Sequence, residues 1–142
     1  MVKHILVPYD SSDQANRAFE SALELAKLYK AKMTILTCII IHPHVDPVMA
    51  TAFLETLKLQ KDEALKTILK LDPQLKKMEI QYKAEVLEGI SITDTLLSYA
   101  DSHQIDLIIM GSRGLGGFKK LLLGSVATGV SQHSKCPVLI IK

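Results

Sequence analysis

Five short runs rich in β-branched and other apolar residues alternate along this chain with segments whose apolar residues recur at helical spacing. That alternation is the signature of parallel strands joined by helical crossovers, and it leaves few architectures open. The predicted strands cover residues 3–8, 33–40, 79–87, 106–110 and 137–141. The fourth is almost continuous Leu and Ile, as expected of a strand buried on both faces. The third alternates in polarity and is expected near an edge of the sheet.

Between the first two runs, Ala15, Phe19, Ala22, Leu23 and Ala26 fall on one helical face, with Ser11 and Gln14 placed as a capping box ahead of them. A longer helix is predicted over residues 47–71, carrying Phe53, Leu57, Ala64, Leu65 and Ile68 and stopping before Asp72-Pro73. Its Lys58, Lys61, Asp62 and Lys66 read as a solvated face. Ser91 with Asp94 opens a third helix through Leu96, Leu97 and Ala100, and a fourth follows Gly124-Ser125 through Val126 and Val130. With right-handed crossovers, the expected outcome is an α/β fold: a doubly wound five-stranded parallel sheet with helices on both faces.

In such sheets ligands bind beyond the carboxyl ends of the strands, where the strand order reverses. Two strand ends carry unusual residues: Val7-Pro8-Tyr9-Asp10-Ser11 and Met110-Gly111-Ser112-Arg113-Gly114. If these strands are neighbours, the order is 3-2-1-4-5 and both features face one crevice. The same order puts Cys38 and Cys136 three strand spacings apart, roughly 14 Å, which rules out a disulfide between them. Both cysteines read as small core residues.

The 142 residues, 48% of them apolar, suit one domain spanning residues 1–142. Seventeen basic against fifteen acidic residues leave a net charge of +2, so composition names no nucleic-acid partner. No apolar run reaches the length that spans a bilayer, and the first residues lack the features of a signal peptide. A soluble cytoplasmic protein, not bound to membrane, is expected. His42 and His44 flank Pro43 without a third ligand in the pattern and read as loop residues near the ligand rim, not as metal ligands.

The segment from Gly111 to Ser125 follows a strand and ends at a helix start. Glycines let the backbone approach a ligand closely, and the free N–H groups and dipole of a helix start favour a phosphate. Neither the P-loop pattern nor the Rossmann glycine pattern is present. The spacing Gly111-x-x-Gly114, nine residues, Gly124-Ser125 resembles instead the ATP-binding motif of the universal stress protein family. The opening Ile5-Leu6-Val7-Pro8-Tyr9-Asp10-Ser11-Ser12 and the closing Cys136-Pro137-Val138-Leu139-Ile140-Ile141 are similar to that family as well, so the likeness covers nearly the whole chain.

The resemblance implies the adenine nucleotide alpha-hydrolase-like fold and a bound ATP, carried with Mg or Mn. By it, Pro8, Asp10 and Ile39 border the adenosine, with Met110 and Gly111 beside it. Arg113, Gly114, Gly124, Ser125 and Val126 line the phosphates. It also implies a homodimer through the last strand, Val138–Ile141. No catalytic constellation is legible, so the expected function is a nucleotide-dependent switch or interaction module of the stress response, read by a protein partner. The alternative is a slow ATPase or nucleotidyl-transferring enzyme, with Asp10 holding a divalent cation. A phospho-accepting receiver is a weaker reading, because the acidic pair after the first strand is missing.

Overall fold

The computed structural model describes residues 1–116, 120 and 122–142. The sequence readings that involve Gly117, Phe118, Lys119 and Leu121 fall outside the described residues.

Five parallel strands, β1 (His4–Pro8), β2 (Lys32–Ile40), β3 (Tyr82–Gly89), β4 (Leu107–Gly111) and β5 (Val138–Ile141), form one sheet in the order β3-β2-β1-β4-β5. The expected order and the edge position of β3 both hold. Period-two alternation divides the buried side chains between two cores. Ile5, Val7, Ile35 and Ile109 face α1 (Asp13–Tyr29), α2 (Ala50–Leu69) and α3 (Asp72–Lys77). Leu6, Leu36, Ile108 and Met110 face α4 (Ile92–Ser102) and α5 (Ser125–His133).

Local chemistry explains where the elements differ from the sequence reading. The cap of α1 is Ser12, one residue after the predicted Ser11: its Oγ accepts from the Ala15 N–H at 3.1 Å. Ser11 is excluded because its φ of 64° lies in the left-handed region, in a turn closed by Asp10 Oδ1 accepting from the Ser12 N–H at 3.0 Å. The predicted helix over residues 47–71 is a short 3-10 turn, Pro47–Met49, followed by α2.

Asp72-Pro73 ends nothing further. It opens α3, because proline in a first helical turn forfeits no intrahelical bond. The third strand starts later than the predicted residue 79. Glu79 takes a left-handed φ of 57°, and β3 begins only at Tyr82 and runs on to Gly89.

Candidate functional site

The order reverses between β1 and β4, and a cleft of roughly 480 Å³ opens there at the carboxyl ends of the strands. That volume lies within the range of small-molecule pockets. Nine of the ten predicted residues line it: Pro8 and Asp10 after β1, Met110 and Gly111 at the end of β4, Arg113 and Gly114 beyond it, and Gly124, Ser125 and Val126 at the start of α5.

Ile39 does not line the cleft. Alternation along β2 brings Leu36, Cys38 and Ile40 to it instead, so Cys38 takes the place given to Ile39. The signal was present as strand parity: Leu36 and Cys38 pack in the same core as Met110, and Ile35 in the opposite one. Thr37, Ile92, Leu96 and Ser112 are further lining residues that motif reading missed. His42 and His44 lie on the exposed loop after β2 and are not part of the lining.

At one end the walls are apolar, from Leu36, Ile40, Leu96 and Met110. Burial here pushes the Cys38 thiol up to about 11, so it is neutral at ordinary pH. At the other end α5 begins with Gly124 as its N-cap in an extended conformation, and among the described residues no side-chain hydrogen bond caps this helix start. The N–H groups of that turn and the helix dipole therefore favour an anion. Two bonds fix this helix start. The Gly124 N–H donates to the Ser112 C=O at 2.7 Å, and the Ser112 N–H donates to the Ile141 C=O of β5, also at 2.7 Å.

Asp10 ties the two sides of the cleft together. Its Oδ1 accepts from Ser12, and its Oδ2 accepts from the Leu115 N–H at 3.0 Å, across the crevice. A Cβ at Gly114 would lie 2.6 Å from Asp10 Oδ2, so a larger residue there would displace this carboxylate. Among the described residues no three His, Cys, Asp or Glu side chains gather as a metal cage. Asp10 is the one carboxylate among the described lining residues; each of its oxygens accepts one backbone N–H and keeps a second lone pair, so it could supply only part of a cation's shell.

Sheet order and switch-point cleft define a doubly wound α/β protein with an open cleft at the carboxyl ends of its strands. The chain belongs to the universal stress protein family, which matches it over residues 1–142. It is 30% identical to the universal stress protein YxiE of Bacillus subtilis, with all of both chains covered. Among solved structures, it superposes on the universal stress protein UspA from Lactobacillus plantarum with a TM-score of 0.92 and 29% identity, covering 99% of this chain and 98% of that one. A universal stress protein in complex with cAMP matches at a TM-score of 0.67 and 26% identity, covering 99% of this chain and 96% of that one. No helix among the described residues is long and apolar enough to cross a membrane.

Proposed function

We propose that this chain is an ATP-binding universal stress protein whose nucleotide occupancy is a state that a protein partner reads. The observation that carries this reading is the joining, in one cleft, of an apolar wall from β2, β4 and α4 to an uncapped helix start at Gly124 and Ser125. The wall suits a planar base, and the helix start suits phosphate. The cAMP complex of a relative adds support for an adenine nucleotide, and the glycine spacing favours ATP. Magnesium or manganese would then travel on the phosphates and keep several waters in its shell.

The second part of the proposal is a homodimer through β5. One side of this strand pairs with β4 and the other is an open edge, with Leu139 38% exposed. Because Ile141 bonds Ser112, and Ser112 bonds Gly124, that edge is two hydrogen bonds from the phosphate end of the cleft.

The test is the nucleotide content of the purified protein, followed by calorimetric titration of ATP with magnesium and sedimentation with and without nucleotide. Saturable binding of ATP and a dimer mass support the reading. A chain that binds no adenine nucleotide contradicts the first part, and a monomer at micromolar concentration contradicts the second.

A further inference from the structure

Strand β2 runs past its neighbour β1. The ladder between them ends with Pro8 opposite Leu36, followed by one last bond from the Tyr9 N–H to the Leu36 C=O at 2.9 Å. In a parallel ladder alternate residues of a strand turn their N–H and C=O to the same neighbour. Met33 and Ile41 donate to Gln81 and Gly89 on the β3 side, so Leu36 and Cys38 turn theirs toward β1. The next rung would run from the Cys38 N–H to the Tyr9 C=O.

That rung is not made. The Tyr9 C=O accepts from Thr37 Oγ1 at 2.7 Å instead. Among the described residues no hydrogen bond engages the Cys38 N–H or C=O on this side. These groups stand at the end of the sheet, at a residue that lines the cleft between Leu36 and Ile40.

We propose that Thr37 is a positioning residue for the ligand. Its hydroxyl holds the Tyr9 carbonyl, ends the β1–β2 ladder one rung early, and keeps the Cys38 N–H and C=O free for the hydrogen-bonding edge of a purine base. The inference deepens the nucleotide reading and rests on it. A backbone donor and acceptor side by side match a base edge that carries a ring nitrogen next to an exocyclic amine, and the apolar side chains on either side accept its faces. Without the hydroxyl the part-buried Tyr9 carbonyl has no partner, which is costly. The nearest backbone donor in register is the Cys38 N–H.

The test uses the full chain as wild type, Thr37→Val and Thr37→Ser. Amide exchange of Cys38 is followed by NMR without ligand, and ATP affinity by calorimetry. In wild type the Cys38 amide exchanges fast and is slowed when ATP binds. In Thr37→Val it is protected before any ligand is added, and ATP affinity falls about tenfold, the scale of one lost hydrogen bond. Thr37→Ser keeps the hydroxyl and behaves as wild type.

An unprotected Cys38 amide in unliganded Thr37→Val overturns the proposal. So does unchanged ATP affinity in that variant, or an equal loss in Thr37→Ser, which would mark general damage. A wild type that binds no nucleotide overturns the site reading itself. The two failures are separable, because the exchange measurement on the unliganded chain still shows whether Thr37 ends the ladder.

Discussion

Substituting Gly111 with alanine tests how the cleft is built, because this glycine lies where β4 passes under the first turn of α1. A Cβ there would meet Gln14 Cβ at 2.7 Å and the Gln14 carbonyl carbon at 2.9 Å. Non-bonded carbons rest at about 3.5–4.0 Å, so the helix must retreat by about 1 Å. One of the clashing atoms is backbone, and no rotamer change relieves it. No glycine in the described chain has a positive φ, so the requirement is for space and not for conformation.

Overpacking of this kind costs about 1–3 kcal/mol, and a chain of this size loses about 3 °C of Tm per kcal/mol. Gly111→Ala is therefore expected to unfold about 3–9 °C below wild type in a circular dichroism melt. The moved turn carries Ser12 and adjoins Asp10, so ATP affinity should fall as well. Gly116→Ala is the stability control, since a Cβ there meets nothing within 4 Å, and it should melt with wild type. A Gly111→Ala protein that melts within about 1 °C of wild type, or a Gly116→Ala protein equally damaged, refutes the close-approach argument.

Two further outcomes concern titrating groups. Burial, and then the nearby Lys32, hold the His4 imidazole below its ordinary 6.5, although Asp106 and the His103 backbone pull the other way. The unfolded chain therefore binds this proton more readily. The contribution of neutral His4 is fully present above about pH 6.5 and is lost as pH falls through that value toward the lower folded one. Tm should drop between about pH 7 and pH 5, and less steeply in His4→Gln; identical slopes would contradict the assignment. The Cys38 thiol, pushed up to about 11 by burial, should resist alkylation at neutral pH, and bound ATP should shield it further. Rapid labelling of Cys38 near pH 7, read by mass spectrometry, would contradict its placement in the cleft wall.

Much of this arrangement was legible in the residues themselves. The continuous apolar run of β4 marked an interior strand, polarity alternation marked β3 as an edge, and two unusual strand ends located the switch point. What local pattern could not supply were positions set by three-dimensional partners. Proline after Asp72 was read only as a stop, yet it tolerates the first turn of α3. The choice between Ser11 and Ser12 as cap depended on a left-handed turn held by the Asp10 carboxylate. Placing Ile39 in the site instead of Cys38 was a register error of one residue, which in a strand exchanges one face for the other. The bond from Thr37 to Tyr9 joins two strands and leaves no trace in sequence spacing.

The central claim is that the start of α5 cradles the phosphates of an adenine nucleotide, and Gly124→Val tests it most directly. The Gly124 φ of −72° suits any residue, so the backbone accepts the change. The new side chain would crowd the helix start, its Cβ already 3.3 Å from the Ser112 C=O oxygen. The measurement is calorimetric titration of ATP with magnesium into both proteins, with circular dichroism as the check on folding. The account predicts saturable binding by wild type and at least about a tenfold loss in a folded variant, as when one charged hydrogen bond is removed. Equal ATP affinity in the two folded proteins would contradict it.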